Sequence, residues 1–148
     1  MESDGSLRAR LVSLSLEWQV RFGVAPAITS AVAEYDAARL VGHSDESFGL
    51  DCERRTSVTK GFDFTFEKRR YQIKANRPSG RPGSLVTLVG KPSNYDWDYL
   101  IWMLYDKSYE LQEAWEWSAE AYRQEFDAKK RIAPADMRRG RPLFQRHG

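Results

Sequence analysis

The sequence predicts an α/β (α+β) domain in which a mixed, largely antiparallel central sheet of about five strands is flanked by helices. Helical periodicity marks residues 6–42, strand-like alternation with one continuous apolar run marks residues 62–117, and a helical pattern returns at residues 118–130. The 148-residue length and the 41% hydrophobic content fit one folded domain with a sizeable core.

Two helices are predicted near the N-terminus. The first carries an apolar stripe at helical spacing, formed by Leu7, Leu11, Leu14 and Trp18. We expect it to end at Gly23 and a second helix to run from Pro26 to Gly42, because proline favours a first helical turn and glycine a helix end. Residues 43–59 are polar without a clear period, which predicts loop or irregular structure.

The strands are predicted from alternation and from apolar content. Residues 62–67 and 70–75 alternate apolar and polar side chains around a short turn, which indicates a hairpin. Residues 84–89 predict a third short strand. Residues 98–106 are almost continuously apolar and predict a central strand covered on both faces, followed by an alternating strand at 109–117.

The chain is predicted to end in a helix and a basic tail. Ser118 is a suitable N-cap for a helix over residues 118–130. From Lys129 the sequence is basic and rich in turn formers. We therefore expect a single domain over residues 1–128 and a basic C-terminal tail over residues 129–148.

Several classes of site are disfavoured by composition. Cys52 is the single cysteine, so the sequence provides neither a disulfide nor a cysteine cluster for zinc or iron–sulfur. His43 and His147 are too few and too far apart for a histidine metal site or a Ser-His-Asp triad. No apolar run is long enough to span a bilayer, so we expect a cytoplasmic protein without a membrane partner.

Charge is strongly segregated along the chain although the formal net charge is only +2. Residues 53–91 carry 10 basic and 3 acidic side chains, and residues 129–148 carry 7 basic and 1 acidic. Residues 92–128 carry 2 basic and 9 acidic side chains. The basic blocks are compatible with a polyanionic partner and equally with a solvated loop and tail.

Charged residues within the predicted hairpin indicate a candidate site. Gln72 and Lys74 are two residues apart on one strand and therefore share a face. Asp63 lies on the neighbouring strand, close to Gln72 or Lys74 across the ladder. A carboxylate and an amide oxygen suit a hard cation such as Mg²⁺, and a lysine beside them suits a phosphate or an attacking water.

The stretches "AEYDAARLVG", "KGFDFTF" and "RRYQIKA" resemble the core of PD-(D/E)xK nucleases, which have the restriction-endonuclease-like fold. The resemblance covers roughly residues 26–106. It implies a Mg²⁺- or Mn²⁺-dependent nuclease of a defence or repair system. Its catalytic and metal-binding positions match Glu34, Asp63 and Gln72, with Lys74 as a further catalytic residue. Gln72 replaces the usual acid and Phe62 the usual proline.

Five basic residues around this core are predicted to contact nucleic acid, most readily DNA phosphates. They are Arg69, Arg70, Arg77, Arg81 and Lys91.

Three functions remain open at this level. The protein is a metal-dependent DNA endonuclease, a nuclease-fold protein that has lost catalysis and only binds nucleic acid, or a protein-interaction module, with a homodimer or another protein as partner. Asp63 and Lys74 also fit a plain ion pair, Gln72 a hydrogen bond to a nearby loop, and Glu34 an exposed helix acid. The position of Glu34 distinguishes the first two functions, because a complete site requires its carboxylate to reach Asp63.

Overall fold

The computed structural model describes residues 4–55 and 61–147. Within these ranges five helices surround a five-stranded sheet. None of these helices is both long and apolar enough to cross a bilayer. The elements in chain order are α1 (Asp4–Phe22), α2 (Thr29–Val41), α3 (Asp45–Arg54), β1 (Phe64–Phe66), β2 (Arg69–Asn76), β3 (Tyr99–Tyr105), β4 (Leu111–Ser118), α4 (Ala119–Phe126), α5 (Pro134–Met137) and β5 (Arg141–Gln145).

The strands are ordered β1-β2-β3-β4-β5 across the sheet. β2 and β3 are parallel, and the other three pairings are antiparallel. The predicted mixed, largely antiparallel sheet of about five strands with flanking helices is therefore confirmed. β3 is the middle strand, as its continuous apolar sequence predicts.

Each face of the sheet packs against its own hydrophobic cluster. One cluster joins Ala33 and Ala37 of α2 to the odd-numbered positions of β2 and β3, including Ile73 and Ile101. The other joins Trp102 of β3 to α4 and to the segments that flank α4. Because alternate residues of a strand point to opposite faces, Gln72 and Lys74 lie on the α4 face of β2.

The predicted boundaries of several helices are close to those observed. α1 ends at Phe22, and Gly23 follows with a φ of 88°, a left-handed conformation that glycine adopts without a Cβ clash. α2 ends immediately before Gly42 but begins at Thr29, after Pro26 rather than at it. The Ser118 hydroxyl accepts a hydrogen bond from the Ala121 N–H, which confirms Ser118 as the N-cap of α4.

Two expectations about the segments between the elements are corrected by the structure. The segment 43–59, predicted to be irregular, contains α3, which begins with a capping box between Ser44 and Ser47. Residues 56–59 of this segment lie outside the described residues. Residues 84–89 form no strand, and only Val89 makes a single bridge, to Ile132. The segment is anchored by the buried side chain of Val89, which packs in the hydrophobic cluster on the α4 face of the sheet.

The predicted basic tail is also corrected. Residues 129–147 contain α5 and β5, and β5 pairs with β4 along the sheet edge. Ile132 and Met137 are fully buried in the cluster beside α4. The basic side chains of the segment are exposed to solvent, while its few apolar side chains are buried in the core. The predominantly basic composition therefore suggested a tail, although a few residues suffice to fold the segment onto the protein.

α1 is attached to the protein by polar contacts. The Arg8 guanidinium donates two hydrogen bonds of 2.7 Å to the Asp36 carboxylate, which also accepts one from the Tyr105 hydroxyl. The Ser15 hydroxyl lies 3.1 Å from that of Tyr109, and the Gln19 amide donates to the Ser79 carbonyl. The polar side of α1 thus faces the protein.

Candidate active site

The candidate site lies where β2 extends beyond its short partner β1. β1 pairs only with residues 69–71, so the following part of β2 has an open edge. Asp63 immediately precedes β1, and its side chain occupies the open edge of β2 next to Ile73. Its Oδ2 accepts a hydrogen bond of 2.7 Å from the Ile73 N–H and one of 3.2 Å from the Gln72 amide. Asp63 therefore lies at the edge of the sheet and not on one of its faces.

The chain before Asp63 is fixed by a close approach at Gly61. Gly61 has a φ of 91°, and a Cβ at this position would lie 2.5 Å from the Cβ of Asp96. Both the conformation and the contact require glycine here. The Asp63 N–H donates to the Tyr71 carbonyl at 2.7 Å, which completes the placement of the carboxylate.

Glu34 reaches the same place from α2. Its carboxyl group is half-buried and hydrogen-bonded to that of Asp63. Burial, followed by the hydrogen bond and the negative charge of Asp63, raises the pKa of Glu34 to about 7, against an opposing effect of the Arg55 charge. The negative charge of Asp63 therefore favours the protonated form of Glu34, because two ionised carboxylates this close repel each other. A cation between them would replace that proton.

Three of the four predicted catalytic side chains therefore meet, namely those of Glu34, Asp63 and Gln72. Lys74 lies two residues after Gln72 on the same face of β2 and is half-buried. Its side chain passes close to Gly90, where an added Cβ would lie 4.0 Å from the Lys74 Cδ. Its ammonium makes no hydrogen bond or ion pair with any residue in 4–55 or 61–147. Lys74 is thus near the site without being committed to another partner.

The residues present fit a hard divalent cation only sparsely. Within the described residues, no three His, Cys, Asp or Glu side chains form a group able to hold a metal ion. Glu34 and Asp63 offer two carboxylates, and Gln72, whose amide nitrogen faces Asp63 here, would offer its oxygen as a neutral ligand after rotation of the amide. Mg²⁺ is commonly held by one or two carboxylates and keeps several waters, so this set is sufficient.

Arg55 is a site residue that the sequence analysis missed. It directly follows α3, its positive charge acts on Glu34, and its guanidinium donates to the Cys52 Sγ at 2.8 Å. Its buried Nε has no hydrogen-bond partner among the described residues. The signal was hidden because Arg55 follows a polar stretch that lacks apolar periodicity.

α3 is fastened to β1 beside this arginine. The Asp51 carboxylate accepts hydrogen bonds from the Thr65 hydroxyl and from the Thr65 N–H, and it lies 3.8 Å from the Arg55 Nε. The buried His43 donates from Nε2 to the Thr65 carbonyl at 2.6 Å. These contacts hold α3, and Arg55 after it, against the strand that follows Asp63.

The five predicted nucleic-acid contacts do not gather around Asp63. Arg70 pairs with Asp98, and Arg69 lies over the Tyr99 ring, both at the far end of β2. Arg77 donates to the Lys107 carbonyl and lies over the Tyr109 ring. The Lys91 ammonium donates to three carbonyls at the end of α4. Arg81 is exposed in the loop after β2.

Titration of Glu34 gives a testable prediction for the metal-free protein. Its pKa is 4.5 in an unperturbed carboxyl and about 7 in the folded state, so between these values the folded state holds a proton that the unfolded chain has lost. The free energy of unfolding should therefore fall as the pH rises through this window, by about 1–2 kcal/mol after allowance for solvent screening.

Replacement of Glu34 isolates this contribution from those of other carboxylates. The difference in unfolding free energy between the wild type and Glu34→Gln, measured by urea titration with a chelator, should change by that amount between pH 4.5 and pH 8. Glu46→Gln, at an exposed position of α3, is the matched control. Parallel pH profiles for wild type and Glu34→Gln would show that the two carboxyl groups do not interact.

No protein-family model matches the sequence, and no curated protein matches it.

Proposed function

We propose that the protein is a metal-dependent nuclease that acts on DNA phosphodiester bonds at the open edge of β2. The observation that carries the proposal is the meeting of the Glu34 and Asp63 carboxyl groups with the Gln72 amide. A half-buried glutamate whose pKa is raised to about 7 beside a second carboxylate is typical of a functional site, whereas a purely structural ion pair would place an opposite charge there.

Each residue has a role that follows from its position. Glu34, Asp63 and Gln72 would hold Mg²⁺ or Mn²⁺, which supplies Lewis-acid activation of the phosphodiester. Ile73 points its N–H to the open edge, and since the N–H and C=O of a strand residue point the same way, its carbonyl adds an oxygen there. Lys74 would orient the attacking water or balance the charge of the phosphate.

Arg55 supports a phosphate at this site. Its positive charge acts on Glu34, and its Nε makes no hydrogen bond with the described residues, although the Asp51 carboxylate lies 3.8 Å away. Nucleic-acid binding by Arg69, Arg70, Arg77 and Lys91 receives less support, because each has a partner within the protein. Arg81 remains a candidate for contact with DNA outside the site.

The test is relaxation of supercoiled plasmid with Mg²⁺, with Mn²⁺ and with a chelator. Cleavage should require the metal, and Mn²⁺ should serve at least as well as Mg²⁺ because the neutral Gln72 leaves one charge fewer in the ligand set. Gln72→Glu restores that charge and should lower the metal concentration required for half-maximal cleavage by about tenfold. Glu46→Gln should leave this concentration unchanged.

A second function is favoured if catalysis is absent. Binding without cleavage of single- or double-stranded DNA or RNA, with either metal, would identify a nucleic-acid-binding protein on the same fold. The missing third acid is the observation that favours this alternative.

A further inference from the structure

α1 carries its apolar stripe on the outside of the protein. The predicted stripe is extended by Phe22, and its members are exposed by between 39% for Leu11 and 59% for Phe22. The side of the helix that faces the protein lies about a quarter turn away and carries the polar Arg8, Ser15 and Gln19, with Val12 half-buried against the core. Most of the apolar surface of α1 is therefore not used for packing on its own core. We call the stripe the α1 seam; it consists of Leu7, Leu11, Leu14, Trp18 and Phe22.

We propose that the α1 seam is the interface of a homodimer in which the α1 helices of two copies pair antiparallel. The seam residues are spaced four, three, four and four apart, close to the repeat with which helices pair. Among the described residues of the same chain, the seam side chains keep 39–59% of their surface exposed to solvent. A second copy offers the same apolar surface, and an isologous contact of this kind closes after two subunits.

The charges along α1 favour the antiparallel arrangement. When Leu11 meets the Leu14 of a second copy and Leu7 meets its Trp18, Asp4 lies opposite Arg21 at both ends. In a parallel pair Asp4 would lie beside Asp4 of the second subunit and Arg21 beside Arg21, so like charges would meet at both ends.

The surface is large enough for a specific contact. α1 has 19 residues and is therefore about 28 Å long. Covering the exposed parts of the seam on both copies removes on the order of 1,000 Å² from water, which is the lower range of specific interfaces. Leu7 and Leu11 also border an apolar groove of about 250 Å³ between α1, α2 and α3. In the antiparallel register this groove is the place for the Trp18 indole of the second copy.

The oligomeric state of the full chain tests the proposal. At about 200 µM chain, sedimentation equilibrium should give a mass near twice 17.1 kDa. Leu14→Glu should raise the dissociation constant by about 30-fold or more, because it places a charge at the centre of the interface. Leu14 is exposed in the single chain, so this variant should keep its fold, which circular dichroism checks. Val20→Ser, at an 89% exposed position outside the seam, should dimerise as the wild type does.

Charge reversal tests the orientation. Arg21→Glu should weaken the dimer about fivefold, and the double variant Asp4→Arg/Arg21→Glu should restore it. A monomeric wild type at this concentration, a dimer that survives Leu14→Glu, or no rescue by the double variant would overturn the antiparallel dimer. Co-sedimentation with vesicles of phosphatidylcholine and phosphatidylglycerol tests the alternative that the seam binds a lipid surface. Binding of a monomeric wild type that Leu14→Glu abolishes would assign the seam to a lipid surface and overturn the dimer.

Discussion

Asp63→Asn is expected to slow metal-dependent cleavage by about 100-fold or more, because Lewis-acid stabilisation contributes several kcal/mol to such reactions. The substitution removes one of the two carboxylate ligands and with it half of the negative charge that would hold a cation. DNA affinity in the presence of a chelator should change by less than about twofold, since no basic contact is lost.

The same variant should be at least as stable as the wild type. An asparagine oxygen still accepts the hydrogen bonds from the Ile73 N–H and the Gln72 amide. It no longer repels the ionised Glu34, whose pKa is raised to about 7 partly by Asp63. Loss of cleavage in a folded and binding-competent protein therefore separates chemistry from folding.

Initial rates of plasmid relaxation at equal protein concentration provide the measurement. Lys74→Ala should also abolish cleavage if Lys74 positions the attacking water, and Glu46→Gln should cleave as the wild type does. Equal cleavage by wild type and Asp63→Asn would refute the assignment of the site.

Removing residues 129–148 is expected to unfold the protein, because the segment completes both the sheet and one hydrophobic cluster. β5 pairs with β4, Ile132 and Met137 are fully buried, and the Trp117 indole N–H donates to the Met137 carbonyl at 3.1 Å. Gly140 is packed so closely that a Cβ would lie 2.8 Å from the Glu116 carbonyl. A truncated chain would lose these residues and would expose the edge of β4, the Trp117 indole and the rest of the cluster beside α4 to solvent.

Single substitutions give the quantitative form of this prediction. Met137→Ala should lower the free energy of unfolding by about 2–5 kcal/mol, the usual cost of a cavity at a buried methionine. Arg131→Ala, at an exposed position of the same segment, should change it by less than about 0.5 kcal/mol. Urea unfolding followed by tryptophan fluorescence measures both. Cooperative unfolding of the truncated chain at the wild-type midpoint would contradict the structural role of the segment.

Sequence patterns were sufficient where burial follows a simple period. β3 is apolar throughout because both of its faces are covered, and the alternation of the β1–β2 hairpin follows from one covered face. The patterns failed where a few residues carry the packing. β5 contributes Leu143 and Phe144 to the core, and its other residues are the exposed Arg141, Pro142 and Gln145. α3 is polar apart from Phe48 and Leu50, so only its Ser44 cap and acidic first turn could have indicated it.

The site shows the same division. The spacing of Asp63 and Gln72 was readable because a short hairpin fixes which residues meet. The contact of Glu34 with Asp63 depends on how α2 packs on the sheet, which no local pattern specifies. The pairing of Arg70, Arg77 and Lys91 with partners in the protein depends on the long segment between β2 and β3. The exposed position of the α1 seam could not be predicted either, because an amphipathic stripe is the same whether the helix covers its own core or another chain.

The short β1 has a consequence for the solubility of the protein. An unpaired strand edge is a template for adding a strand from another molecule, and β2 has such an edge beyond Tyr71. Two acidic side chains fill it, and any incoming strand would have to bury their charge. The opposite edge of the sheet, β5, carries Pro142 between Arg141 and Leu143, which removes one backbone donor. The groups proposed to act on DNA would thus also protect the sheet from edge-to-edge aggregation.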